Sequence, residues 1–367
     1  MESKKKLFYL SFTSFAQVDL GIIPYLNSEY EITYCVVIPR IGSNYSKKEL
    51  EATCNRYNIK FLPIVLTKRQ RDIRLCFEFF RVIQHIKSIN PEIIYSVSLD
   101  NPIVAVVSLF FDRKKTVIFI HDVEHHSSYP QVKFLKLGRL IVTSYFKYFQ
   151  VFSENQKQIF NRKYPTKLVS SIPVPLSNYT NNSKVTFKGS KKRFLFFGNI
   201  LPYKGLDILI KAINNLSVKH SNFELVIAGR CTDWTDKYEP LVKGNKNITA
   251  IIRHIKNEEI ESLFSKSHYL ILPYRDATQS GPLMIAYNYC LPVIVSNIKA
   301  FEEVVEEGVS GYFFSNDKDI EAVLSLALER SNAEYGILKE KLKFFVNSKY
   351  SPEIMNKRYA SMFSELE

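Results

Sequence analysis

Short, almost unbroken apolar runs alternate with longer segments of helical spacing along the whole chain, and this alternation constrains the fold more than any other feature. In the first half the runs are KKLFYLSF, EITYCVVIP, IKFLPIVL, EIIYSVSL, TVIFIHD and FQVFS. Rich in β-branched and aromatic residues, they have the pattern of strands buried on both faces of a parallel sheet. Between them, Asp72 to Ile89 has helical spacing, with Ile73, Leu75, Phe77, Phe80, Val82, Ile83 and Ile86 expected on one face. The second half repeats the series with RFLFFGNI, FELVIAG, ITAIIRHI, YLILPY and LPVIVS, separated by GLDILIKAINNL, NEEIESLFSK and a helix after Ser280. Two doubly wound α/β domains with parallel sheets are expected, facing one another across a cleft.

The length of 367 residues suits two domains of the usual size. Polar, turn-forming residues cluster for longest between Val174 and Lys192. The expected organisation is a first domain over 1–175, a linker over 176–191 and a second domain over 192–350. A C-terminal helix at about 351–367, capped near Ser351, is free to pack back on the first domain.

Several classes are disfavoured. Five cysteines lie far apart without a C-x-x-C pair, which suits neither a disulfide framework nor a zinc site and points to a reduced, cytoplasmic setting. The start MESKKKLFYLSFTSF has too short an apolar run for a signal peptide and is expected to be a strand. The run IVAVVSLFF is about half of what a membrane span needs. Residues 1–188 carry 27 Lys/Arg against 14 Asp/Glu, and the remainder 23 against 22, so the net charge of +14 belongs almost wholly to the first half. That half is expected to meet something anionic. No RNP-like, helix-turn-helix or zinc-finger pattern accompanies the charge, so nucleic acid is not the expected partner.

Two loops carry candidate chemistry. In RDATQSGPLMIAYNYCLPVI (Arg275 to Ile294), Pro282 fits a first helical position and Ser280 or Gly281 the cap. The free N–H groups of such a helix start, with the side chains of Gln279 and Ser280, can hold phosphate oxygens, although an ordinary helix start reads the same way. In FFGNILPYKGLDILI (Phe196 to Ile210), Gly198 and Gly205 flank a loop that ends in Lys204, a cation suited to a diphosphate or simply a solvated lysine.

GNILPYKGLDILIKA, LVIAG, NEEIESLFSKSHYLILPY, SGPLMIAYNYCLPVIVSN and FEEVVEEGVSGYFF, in that order, resemble the C-terminal domain of family 4 ("group 1") retaining glycosyltransferases of the GT-B fold. In the first half IFIHDVEHHSS resembles the HDVxxH segment of one branch of that family, and VFSENQKQIF the last strand and helix of its first domain. The resemblance implies transfer of a sugar from a nucleotide-sugar, such as a UDP- or GDP-sugar, to a hydroxyl, with retention at the anomeric carbon and with no metal or other cofactor. No D-x-D pair of the kind that holds a metal-bound diphosphate stands out. In the front-face mechanism so implied, the departing phosphate oxygen accepts the acceptor's proton. By the same resemblance Lys204 and His121 are the catalytic residues. Gly198, Asn199, Lys204, Arg275, Gln279, Ser280 and Gly281 are expected to hold the donor diphosphate, Arg275 and Gln279 on their own chemistry, and His121, Asp122 and His126 to line the sugar and acceptor side, although a histidine at the end of such a strand is also met as a core side chain. Glu303 matches an acidic residue in the turn after the last strand.

Two departures bear on the donor. Asn199 stands where the family commonly has arginine, and the places of the paired glutamates of its E-x7-E motif fall at Ala277 and Ile285. Arg275 is a candidate to restore the missing charge. A catalytically silent scaffold of the same fold is the alternative. The implied acceptor is a saccharide or lipid-linked saccharide in bacterial surface polysaccharide assembly. The basic half is expected to hold the protein peripherally on the inner face of the plasma membrane through Lys4 to Lys6, Lys68 to Arg74, Arg113 to Lys115 and Lys133 to Phe149. The last of these reads either as an interfacial helix or as an ordinary helix packed on its sheet. Binding by charge is expected to weaken steeply with salt.

Overall fold

The structure is a computed structural model that describes residues 4–40, 45–69, 71–97, 99–124, 132–176 and 191–366. The chain divides into two compact units, Met1–Pro175 with Pro352–Glu367, and Leu176–Ser351.

The first unit runs β1 (Lys5–Phe12), α1 (Ala16–Leu20), α2 (Ile23–Leu26), β2 (Tyr30–Ile38), α3 (Lys47–Arg56), β3 (Lys60–Val65), α4 (Leu75–Ile89), β4 (Ile93–Val97), α5 (Pro102–Ser108), β5 (Thr116–Phe119), α6 (Val132–Tyr145), β6 (Tyr148–Val151), α7 (Glu154–Lys163) and β7 (Leu168–Ser171). Its seven strands lie in the order β3-β2-β1-β4-β5-β6-β7, with every pair parallel.

The second unit runs β8 (Lys192–Phe197), α8 (Leu206–Lys219), β9 (Phe223–Ala228), α9 (Trp234–Lys237), α10 (Glu239–Val242), β10 (Ile248–Ile251), α11 (Asn257–Ser265), β11 (Tyr269–Leu272), α12 (Gly281–Asn288), β12 (Val293–Ser296), α13 (Lys299–Glu302), β13 (Gly311–Phe314), α14 (Asp317–Glu329) and α15 (Asn332–Tyr350). Its six strands, again all parallel, lie in the order β10-β9-β8-β11-β12-β13. Both sheets reverse direction beside their first strand, between β1 and β4 and between β8 and β11. Open α/β sheets bind ligands in the crevice at such a switch point. This is the two-domain GT-B architecture.

The central strands form because they are apolar on both faces, and the structure buries them so. Phe8, Leu10, Cys35, Val37, Ile94 and Ile118 lie in the core of the first unit, and Phe194, Phe196, Leu225, Ile227, Ile271 and Ile294 in that of the second. The edge strands β7 and β13 have no such run and are not apparent from the sequence. The final helix, α16 (Pro352–Ser364), belongs to the first unit. There Asn356 donates to the Tyr25 carbonyl at 3.1 Å, and the rings of Tyr359 and Phe363 pack on Tyr95 and Tyr30.

One helix departs from expectation in the face it buries. In α4 the buried residues are Leu75, Phe79, Val82 and Ile83, whereas Phe77 and Phe80, with Ile73 just before the helix, face outward. Apolar residues occupy both sides of this helix, so spacing alone cannot select the buried one. Of the two readings of Lys133 to Phe149, the ordinary one fits: α6 packs into the first unit's core through Val142, and the segment then runs into β6. Arg139, one of its cations, is buried.

Candidate functional site

In the second unit, two loops meet at the switch point. After β8 the ladder continues, with Gly198 N–H donating to the Ala228 carbonyl at 2.9 Å and Ile200 N–H to that of Arg230 at 2.8 Å. Gly198 has φ +109°, and a β-carbon on it would lie 3.1 Å from Lys204 Nζ and 3.6 Å from Pro282 Cγ. The lysine ammonium and the start of α12 therefore both lie close against the first loop. Gly205, at φ +63°, begins α8, and a β-carbon there would be 1.9 Å from the Pro273 carbonyl oxygen. Only glycine lets α8 start this close to the end of β11.

Lys204 is buried at 8% exposure, with its ammonium 5.4 Å from the centre of the Tyr274 ring. Among the described residues it has no carboxylate partner. Burial pushes its pKa down to about 8, so at neutral pH it remains largely charged. A cation removed from water without a counter-ion is costly and suits a site that receives an anion.

Ser280 caps α12 in extended conformation, its hydroxyl accepting from Leu283 N–H at 3.4 Å, with Pro282 in the first turn. Gly281 is exposed, and a β-carbon on it would meet nothing within 4 Å. No packing demand of the protein requires glycine there. Gln279 is half-buried beside it, and Asn199 is exposed.

Arg275 is turned to another task. It makes a bidentate pair with Asp207 in the first turn of α8, at 2.6 and 3.0 Å, and donates to the Pro202 carbonyl at 2.8 Å. Its own N–H donates to the Tyr203 carbonyl at 2.7 Å. The β11 elbow is thereby lashed to the loop that carries Lys204. Asp207 and Tyr274 went unread in the sequence, since a pairing 68 residues apart leaves no local signal. Of the positions matching the missing glutamates, Ile285 is buried in α12 and Ala277 bears no polar group. Glu303 is exposed at the C-cap of α13.

A D-x-D triplet does occur, at Asp317-Lys318-Asp319. It opens α14, where Asp319 accepts from Ser315 N–H at 3.3 Å and Asn316 Nδ2 at 2.8 Å. Among the described residues no group of three or more His, Cys, Asp or Glu side chains could hold a metal.

In the first unit, His121 follows β5. Its Nδ1 lies 2.8 Å from the buried Asp122 carboxylate, and its ring packs between Phe15, Phe119 and Phe152. With Nδ1 donating, Nε2 is left as an acceptor. Arg139 braces this loop from below: it pairs with Asp100 through two 2.6 Å bonds and donates to the carbonyls of Asp122 and Val123 at 3.0 and 3.3 Å. Gly138 permits the approach, since a β-carbon there would be 1.9 Å from the Asp100 carbonyl oxygen. A glycine within a helical pattern was the signal available for this contact. His121 and Asp122 line a cavity of ≈ 680 Å³ together with Phe12, Phe15, Leu66, Phe79 and Leu135 and with Arg40, Lys68 and Arg69. His126 lies outside the described residues.

Residues 178–340 match the family model described as glycosyl transferases group 1. A GDP-mannose:glycolipid 4-beta-D-mannosyltransferase of Xanthomonas campestris pv. campestris is 23% identical over 132 residues, covering 36% of this chain and 38% of that protein. An O-antigen chain mannosyltransferase of Salmonella typhimurium is 29% identical over 134 residues, covering 36% and 37%. The chain thus spans well under half the length of these curated relatives. The crystal structure of Anabaena Alr3699/HepE in complex with UDP-glucose is similar over 99% of this chain and 100% of that one, with a TM-score of 0.75 at 13% identity. Residues 178–340 are thus similar to group 1 glycosyl transferases, within a chain whose two parallel sheets have the GT-B architecture.

Proposed function

We propose that the protein is a retaining, metal-independent glycosyltransferase that moves a sugar from a UDP- or GDP-sugar to a hydroxyl of a lipid-linked saccharide. The observation that carries this reading is Lys204: a buried ammonium with no carboxylate partner among the described residues, lying close against the Gly198 loop, as does the start of α12. The donor diphosphate supplies the missing negative charge. Lys204 and the Gly281 N–H at the start of α12 stabilise the charge that grows as the nucleoside diphosphate departs, the N–H groups of Leu283 and Met284 being engaged by Ser280. The bond from the anomeric carbon to the phosphate oxygen breaks while the acceptor oxygen bonds on the same face. The acceptor's proton passes to the departing phosphate, so no protein base is needed. Arg275 acts by holding the loop through Asp207, and Gln279, Ser280 and Asn199 complete the phosphate contacts.

His121, oriented by Asp122, accepts a hydrogen bond from a sugar hydroxyl through Nε2. The apolar cavity beside it, with Arg40, Lys68 and Arg69 on its lining, suits an acceptor with an apolar body and a phosphate. The similarity to a glycolipid mannosyltransferase and to an O-antigen chain mannosyltransferase supports a role in surface polysaccharide assembly, which we place on the inner face of a membrane.

The absence of a carboxylate at positions 277 and 285 favours one other reading, a silent scaffold without a donor. Thermal stabilisation across a panel of nucleotide-sugars separates the two. A donor at 100 times its dissociation constant adds about 2.7 kcal/mol. A scaffold responds to none of them.

A further inference from the structure

The outward side chains of α4, α5 and α6 form a surface that the transfer reaction does not use. Ile73 (71% exposed), Phe77 (72%) and Phe80 follow one another at helical spacing along α4 and its approach. Phe110 (62%) stands after α5 and packs at a tilt against Phe80 with ring centres 5.6 Å apart, and Leu137 and Leu140 (63%) project from α6. The three helices are adjacent, α5 packing against both of the others. Single exposed apolar residues are ordinary, but a contiguous group of large ones marks an interaction surface.

The charges around it indicate what covers it. Lys133 and Lys136 of α6 are exposed, and that helix carries no acidic residue. Arg71 lies over the Phe134 ring at 5.7 Å, and Arg81 is exposed on α4. The acids of the same segments are already engaged, Asp72 with Arg74 and Glu78 with the N–H and hydroxyl of Thr67. A cationic margin around projecting phenylalanines suits an anionic lipid surface, where basic groups meet headgroups and apolar ones reach the acyl boundary. The same helices line the apolar cavity through Phe79, Val104 and Leu135, so lipid outside and a lipid-like ligand inside would be handled by one layer of the fold.

We infer that the α4–α6 face docks on an anionic bilayer by inserting Phe77, Phe110 and Leu140. This rests on the peripheral location proposed above and deepens it, changing the expected mode of binding. Attraction by charge alone vanishes as the Debye length falls from about 10 Å at 0.1 M salt to about 3 Å at 1 M, whereas buried apolar area is not screened.

The test is co-sedimentation with phosphatidylcholine vesicles, with and without phosphatidylglycerol, at about 0.1 M and about 1 M salt. Wild type should prefer the anionic vesicles and keep part of its binding at high salt. Phe77→Ser/Phe110→Ser/Leu140→Ser, with unchanged circular dichroism and melting, should bind at least tenfold more weakly at both. Lys133→Glu/Lys136→Glu should lose binding chiefly at low salt. In a second arm Phe77→Trp is placed in a Trp234→Phe background, which removes the one native tryptophan, and its emission should shift to the blue and be quenched by brominated lipid. Absence of wild-type binding to either vesicle, equal binding by the serine variant, or an unquenched indole would overturn the inference. Vesicle binding needs neither donor nor acceptor, so its failure leaves the transferase reading to the nucleotide-sugar test.

Discussion

The Lys204 ammonium lies against Gly198, 3.1 Å from the position a β-carbon there would take, so a side chain at 198 would crowd it. The glycine leaves the cation room beside the loop, at a φ of +109° that side chains rarely adopt. Lys204→Ala should lower turnover at least ten-fold, about 1.4 kcal/mol of transition-state stabilisation. Arg275→Ala should act in the same direction but more weakly, because its guanidinium is committed to Asp207. Steady-state rates with an active donor check both.

The same lysine burdens the ligand-free fold. Burial lowers its pKa from 10.5 to about 8, which corresponds to a charging cost on the order of 3 kcal/mol. Lys204→Met should therefore melt higher than wild type without nucleotide, while gaining nothing when nucleotide is added. Differential scanning calorimetry of both proteins, with and without a nucleoside diphosphate, measures the contrast.

The pH dependence follows with a fixed sign. Between about 8 and 10.5 the unfolded chain keeps the Lys204 proton and the folded chain has lost it, so this group makes stability rise with pH across that window. Anion binding requires the ammonium. Nucleoside diphosphate affinity should thus fall as pH rises through about 8, with proton uptake on binding above it. Calorimetry in buffers of different ionisation enthalpy reads the proton directly, and in Lys204→Met the dependence should be lost.

Two glycines of the site should fail for different reasons. Gly281→Ala meets open space, so the protein should fold normally yet bind nucleotide at least tenfold more weakly if phosphate occupies that space. Gly205→Ala places a β-carbon against the Pro273 carbonyl at φ +63°, and should cost stability by more than the ~1–2 kcal/mol of left-handed strain alone. Urea unfolding and nucleotide titration of each variant separate the two effects.

Beneath the His121 loop, Arg139→Ala would leave the Asp100 carboxylate without its bidentate partner and free the Asp122 and Val123 carbonyls. A loss of about 3–5 kcal/mol is expected for breaking a pair so enclosed. Unfolding free energies of Arg139→Ala and Arg139→Met/Asp100→Asn should show the double variant to be the less damaged.

The central strands were legible because burial on both faces writes itself into sequence as continuous apolar runs, as in Leu7 to Leu10 or Tyr269 to Leu272. Edge strands such as LVSS and GYFF carry no such mark. Periodicity misplaced the α4 face because Phe77 and Phe79 are equally apolar, and only the tertiary fold decides which one meets the sheet. The loop positions of Lys204, Gly198 and Ser280 were readable from glycine, proline and strand endings. Their convergence was not, since it depends on β8 and β11 pairing across some seventy residues of chain, Tyr269 beside Phe194. Arg139 read as a surface cation and Arg275 as a donor-site charge, and only their distant partners Asp100 and Asp207 show that each braces a loop.

Glycosyl transfer itself is tested most directly by supplying labelled UDP- and GDP-sugars in turn with lipid-linked saccharide extracts and following label into the glycolipid fraction, with the product's anomeric configuration read by NMR. One donor should label the glycolipid, in the presence of chelator, with its anomeric configuration retained, and Lys204→Ala should be at least tenfold slower. Incorporation from no donor, an inverted product, or equal rates for Lys204→Ala and wild type would contradict the assignment.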